Sequence, residues 1–140
     1  MIELVLDTNI LVAGLRSRRG ASYQLLRSLA GNELRLNISV ALALEYEDVL
    51  NRPGLVTGLT QSELDAFLDY VLSISTLWPS VPRVRPSLRD PDDERILELA
   101  VQSRARIVTH NTRDFQGARR FGVLVITPAE VVDEMRRKGI

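Results

Sequence analysis

Three carboxylates in this chain, Asp7, Glu45 and Asp93, stand at positions that solvation alone explains poorly. Asp7 abruptly ends the apolar run Ile2-Glu3-Leu4-Val5-Leu6. Such a run, followed by a helix-like segment, reads as a buried strand of a parallel sheet, and ligands in open α/β sheets bind at the carboxyl ends of these strands. The plainer alternative is that Asp7 or Thr8 merely caps the next helix. Glu45 falls at the edge of the arc formed by Leu42, Tyr46, Val49 and Leu50, whereas Glu47 points well away from it. A carboxylate against apolar neighbours needs a counter-charge, either a metal shared with Asp7 or an arginine. Asp93 has Ile96, Leu97, Ala100 and Val101 at i+3, i+4, i+7 and i+8, so it heads the stripe that a helix would bury. Glu94, Arg95, Glu98 and Gln102 are expected on the opposite side. Another strand-then-acid pattern follows Arg106-Ile107-Val108-Thr109, where Asn111 or Asp114 could complete the set.

These groups cannot gather bare. Two carboxylates about 4 Å apart repel by roughly 4 kcal/mol at an effective dielectric of about 20, so a cluster must protonate or share cations. The chain has no cysteine and a single histidine, His110, which excludes thiolate zinc and multi-histidine centres and argues against a serine triad. Oxygen ligands alone suit Mg²⁺ or Mn²⁺. Such a centre activates water and neutralises charge on a phosphoryl group, so metal-dependent phosphodiester hydrolysis is the chemistry inferred.

The elements that must position these acids can be read in order. After Asp7 a helix starts and breaks at Arg16-Ser17-Arg18-Arg19-Gly20, then resumes from Ala21 to Leu29, with Gly31 placed as its C-terminal cap. Leu34 to Ile38 alternates as a short strand, and Ser39 caps a helix that stops at Asn51-Arg52-Pro53-Gly54. Thr60-Gln61-Ser62-Glu63 is a capping box before the stripe Leu64, Phe67, Leu68, Val71 and Leu72. The spacing predicts that this helix runs into Ile74–Trp78 before Pro79, with an irregular or edge-strand connection from Val81 to Pro86. Asp90-Pro91-Asp92-Asp93-Glu94 opens another helix, with a cap, proline and acids where the helix dipole favours them. Val123 to Ile126 is the last strand, and Thr127-Pro128-Ala129-Glu130 caps a terminal helix. Strands alternate with helices throughout, so residues 1–140 are expected to form one α/β domain with a largely parallel sheet.

Composition adds bounds rather than identity. Eighteen basic and eighteen acidic residues balance, so any polyanion must be bound by a local patch. No apolar stretch is long enough for a membrane span and no basic leader is present, so a cytoplasmic protein is expected.

Taken together, the blocks Leu6-Asp7-Thr8-Asn9, Glu45, Asp90-Pro91-Asp92-Asp93 with Ile96 and Ala100 behind it, and Thr109 to Phe115 resemble the PIN domain, and within it the VapC-like ribonucleases of toxin-antitoxin modules. The resemblance spans essentially the whole chain in the right order. It implies a five-stranded parallel sheet, an acidic Mg²⁺ or Mn²⁺ pocket, cleavage of single-stranded or structured RNA, a homodimer and a small antitoxin protein as partner. It further implies that Asp7, Glu45 and Asp93 are the core catalytic and metal-binding acids. The fourth position falls on Asn111 in some members and on Asp114 in others, and Asp114 is favoured here. Thr8, Asn9, Asp92, Thr109 and Asn111 resemble supporting positions. Arg16, Arg18, Arg19 and Arg113 are the candidate RNA contacts, and the Leu64–Leu72 stripe is a candidate dimer or antitoxin surface that the monomer core competes for.

Two other classes share part of this pattern. A PIN-like module that binds RNA or protein without cutting has the same fold, but the presence of all three core acids argues for an enzyme. A haloacid-dehalogenase-like phosphatase would share the Leu4-Val5-Leu6-Asp7 strand. It needs a second aspartate where Asn9 stands and a lysine before its last acidic motif, and the only lysine is Lys138.

Overall fold

Five short strands pair side by side in the order β3-β2-β1-β4-β5, every pair parallel. The computed structural model describes residues 1–83, 88 and 90–139. In chain order these form β1 (Ile2–Leu6), α1 (Thr8–Arg16), α2 (Ala21–Ser28), β2 (Leu34–Ser39), α3 (Val40–Leu50), α4 (Gln61–Ile74), β3 (Ser75–Trp78), α5 (Pro91–Ser103), β4 (Arg106–Val108), a 3-10 helix (Thr112–Phe121) kinked at Phe115, β5 (Val125–Ile126) and α6 (Pro128–Arg137). The five-stranded parallel α/β domain expected from the sequence is the one observed.

β1 is central because it is apolar on both faces, and Leu4, Val5 and Leu6 are buried. From β1 the chain winds outward to β2 and β3, then jumps back to add β4 and β5 on the other side. Right-handed crossovers running in opposite directions place their helices on opposite faces. In keeping with this, α2 packs on α1 and α6, while α5 crosses β1 and β2 and meets the 3-10 helix. The reversal point lies between β1 and β4, where the parallel ends of two strands leave a crevice. Asp7 emerges there, its N–H donating to the Val108 carbonyl at 2.9 Å.

Two local expectations need correction, and one open alternative is decided for the monomer core. The helix from Gln61 stops at Ile74, and Ser75–Trp78 is a strand paired with β2. Ser75 turns to extended backbone and its hydroxyl donates to the Val71 carbonyl at 2.6 Å, while the open edge of β2 gives the next residues a sheet partner. The buried Asn37 fixes this pairing. Its Nδ2 donates to Glu3 Oε1 at 3.0 Å, and its Oδ1 accepts from Trp78 Nε1 at 2.9 Å, so one amide joins three strands. Gly31 does not adopt the left-handed cap conformation, since α2 ends at Ser28 and Leu29 remains right-handed. In the Leu64–Leu72 stripe, Leu64, Leu68 and Val71 are buried within the monomer and Phe67 packs against the same core, leaving Leu72 as the outward member. Of the expected Val81–Pro86 connection, Val81, Pro82 and Arg83 are irregular and the remainder lies outside the described residues.

Candidate functional site

The crevice at the ends of β1 and β4 is walled by α3, the start of α5 and the 3-10 helix. Two cavities of about 460 and 450 Å³ lie on either side of the first turn of α5 and share Asp90 and Asp93. The first also holds Asp7, Thr8, Glu45 and Asp92, and the second holds Arg113 and Asp114. Three separate elements thus bring the core acids Asp7, Glu45 and Asp93 to the first cavity, and the 3-10 helix brings Asp114 to the second, which Asp93 shares.

Each acid is positioned by a local cause. Asp7 occupies the cap position of α1, yet its side chain makes no capping hydrogen bond. Instead Asp7 Oδ2 accepts from the Thr109 hydroxyl at 2.7 Å, across the reversal point from the end of β4. Thr109 is fully buried, and its Oγ1 in turn accepts the Asn111 N–H at 3.0 Å. Glu45 is presented by α3, whose start Ser39 caps by accepting the Leu42 N–H at 3.1 Å. Its Oε2 accepts from the Thr8 hydroxyl, so the first turn of α1 orients the second acid. Below it, the buried Tyr46 donates to the Leu6 carbonyl at 2.5 Å and locks α3 onto β1. Asp93 sits in the first turn of α5, which Asp90 caps by accepting the Asp92 N–H at 2.8 Å. The helix-initiation chemistry read from this stretch is real, and the same turn delivers the acid.

The electrostatics show that these groups feel one another. Burial raises the Asp7 carboxyl above the usual range, Thr109 opposes that shift, and the Asp114 charge adds to it. Burial also raises Glu45 against the opposing Thr8 hydroxyl, with Asp92, Asp7 and Asp90 contributing. Asp93 is raised furthest, to about 7, by burial first and then by Asp7, Asp90, Asp114 and Glu45. Asp114 therefore belongs to the same charge cluster.

Among the described residues, no three acidic or imidazole groups are drawn tightly enough to form a ready-made metal cage. That spacing suits like charges with one oxygen each of Asp7 and Glu45 committed to a threonine. Mg²⁺ keeps several waters and commonly takes one or two carboxylates plus substrate phosphate oxygens, so a closed protein cage is not required. The donor set is all oxygen and strongly anionic, and it fits a hard divalent cation.

The remaining candidates divide. Asn9 stands behind Asp7 with its Oδ1 buried and without a hydrogen-bond partner among the described residues. Arg16, Arg18 and Arg19 are exposed and line neither cavity, whereas Arg113 lines the second. Sequence reasoning passed over Asp90, whose role as a cap hid its place in both cavities. It also turned Arg95 away, although this side chain lines the first cavity together with Asp48 and Arg52. A helix wheel treats the face opposite the core as solvent and gives no hint that a neighbouring helix makes a cleft there. His110 Nε2 lies 3.0 Å from the buried Ser22 hydroxyl and ties the loop after β4 to α2.

A PIN domain family model matches residues 3–113, and the chain belongs to that family. Comparison with curated proteins finds no match. Solved structures share the fold. VapBC2 from Rickettsia felis, bound to a DNA fragment from its promoter, aligns with a TM-score of 0.62 at 17% identity over 90% of this chain and 98% of that one. VapBC-1 from nontypeable Haemophilus influenzae gives 0.63 at 13% identity over 91% and 99%. FitAB bound to an IR36 DNA fragment gives 0.52 at 18% identity over 89% and 94%. At these identities the likeness is one of fold, and at that level the expected similarity to the VapC-like branch holds.

Proposed function

We propose that this PIN domain is a metal-dependent endoribonuclease acting on single-stranded RNA, and the toxin component of a toxin-antitoxin module. The observation that carries the enzymatic part is the convergence of Asp7, Glu45, Asp93 and Asp114 on one crevice, where burial and like-charge repulsion raise the carboxyls of Asp7, Glu45 and Asp93. A site that only bound RNA would gain nothing from gathering acids against a polyanion.

Asp7 and Asp93 would hold the divalent ion, with Glu45 on one side and Asp114 on the other. When bound, Mg²⁺ or Mn²⁺ would supply Lewis-acid polarisation of a phosphoryl oxygen and a more acidic water. The chain's own side chains set the stage. Thr109 and Thr8 fix the oxygens of Asp7 and Glu45 before substrate arrives, so little reorganisation remains. In the reaction, water adds to phosphorus, the bond from phosphorus to a ribose oxygen breaks, and that oxygen takes up a proton. The fold likeness to VapBC and FitAB supports a small antitoxin partner as part of the same proposal, and the homodimer is carried over only from the family resemblance.

The test is a fluorogenic single-stranded RNA assay with Mg²⁺ or Mn²⁺. Asp7→Asn and Asp93→Asn are expected to lose cleavage by at least about a hundredfold while keeping the native circular dichroism spectrum. Full activity in either variant would overturn the assignment.

A further inference from the structure

We propose that the two cavities are a single track for one polynucleotide strand, in which Arg95 holds a phosphate on the α3 side of Asp93 and Arg113 holds a phosphate on the 3-10 side. This deepens the nuclease reading above and rests on it.

The two cavities meet at the first turn of α5, where Asp90 and Asp93 line both. A strand laid through one of them therefore emerges into the other past Asp93. Among the described residues, acids dominate the charged lining on both sides and repel phosphate, so the cations that line the cavities beside them bear on whether a backbone can lie there. Arg52 is committed to Asp48 at 3.0 Å. Among the described residues, Arg95 and Arg113 make no ion pair, and each lines a different cavity. An uncommitted guanidinium on each side of the acids, Arg95 and Arg113 among the described residues, is an arrangement that places a third, intervening phosphate over the catalytic cluster. Guanidinium groups suit the task because they remain charged and bind phosphate oxygens in pairs. The track requires a phosphate on both sides of the bond that breaks, so cleavage falls inside a strand and terminal bonds are poor substrates. The competing explanation is that both arginines are solvated charge that merely softens the acidic cluster.

The two are separated by binding measurements on the Asp7→Asn protein, using a short fluorescein-labelled single-stranded RNA of mixed sequence followed by anisotropy over a salt series. Each phosphate contact on a single strand contributes about 0.7 to the slope of log K against log salt. Arg95→Ala and Arg113→Ala are each expected to flatten the slope by about that amount, and the double variant by about twice as much. Arg113→Lys should restore the slope, because charge is kept. In the cleaving protein the same substitutions should raise KM more than they lower kcat. Oligonucleotides with methylphosphonates on one side of the cleaved bond should be bound equally by one arginine variant and its parent, and those neutralised on the other side by the other variant. RNA binding with an unchanged salt slope in both variants overturns the track and leaves the nuclease reading standing. An Asp7→Asn protein that binds no RNA, paired with a wild type that cleaves none, overturns both.

Discussion

At the scale of single residues, the site stores like charge that the metal-free protein must accommodate. Asp93 illustrates the consequence, since burial and four neighbouring carboxylates hold it at about 7 against an ordinary 3.8. The folded chain binds this proton more tightly than the unfolded chain, so the group's contribution to stability is complete below the ordinary value. It is lost as pH rises through about 7. Asp7 and Glu45 are shifted in the same direction. Glu63 and Glu134 are shifted downward and act with the opposite sign, but their window lies below the ordinary 4.5. In chelator-treated protein the melting temperature is therefore expected to fall between about pH 5 and pH 7, and Asp93→Asn to flatten that fall. Differential scanning fluorimetry over a pH series measures it. A variant with the wild-type profile would show that Asp93 is no more basic in the fold than outside it.

At the scale of elements, α5 matters most because its first turn divides the crevice. Its other end carries a conformational penalty. Arg104 closes the helix in the left-handed region with φ 58°, where a Cβ is crowded, and the Ala105 N–H donates to the Ala100 carbonyl at 3.1 Å. For an L residue this conformation costs about 1–2 kcal/mol, part of which glycine returns through a freer unfolded chain. Arg104→Gly is accordingly expected to stabilise the domain by about 1 kcal/mol, read as a shift in the urea midpoint at unchanged m-value. Cleavage should not change, because Arg104 lies at the opposite end of α5 from Asp93. A lower midpoint would mean that the arginine side chain contributes more than its backbone costs.

At the scale of the whole molecule, balanced net charge conceals a concentrated acidic crevice. Anything that binds the folded state alone raises stability by mass action, about 2.7 kcal/mol at a hundredfold excess over Kd. Mg²⁺ or Mn²⁺ is expected to raise the melting temperature of the wild type at neutral pH, whereas Asp7→Asn should respond much less. Equal shifts in the two proteins would place the ion elsewhere. The exterior offers further apolar side chains, among them Val40, Leu44, Leu72 and Leu77, but most of the α4 stripe is already spent on the monomer core. No helix among the described residues is long and apolar enough to cross a membrane.

The order of the elements other than β3 and the 3-10 helix, both capping boxes and the acids at Asp7, Glu45 and Asp93 were legible in the linear chain. Periodicity, caps and apolar runs are local properties, and the buried stripe beneath Asp93 needs only the pitch of a helix to be seen. What the sequence could not decide was everything that depends on a distant neighbour. Ser75–Trp78 became a strand because β2 had an open edge, and Asn37 and Trp78 closed it across some forty residues of chain. Asp90 and Arg95 joined the site because the sheet reverses between β1 and β4, which brings α3, α5 and the 3-10 helix around one crevice. A residue's own neighbours in sequence say which way it leans, whereas only the packing of other elements decides whether that direction is solvent or a cleft.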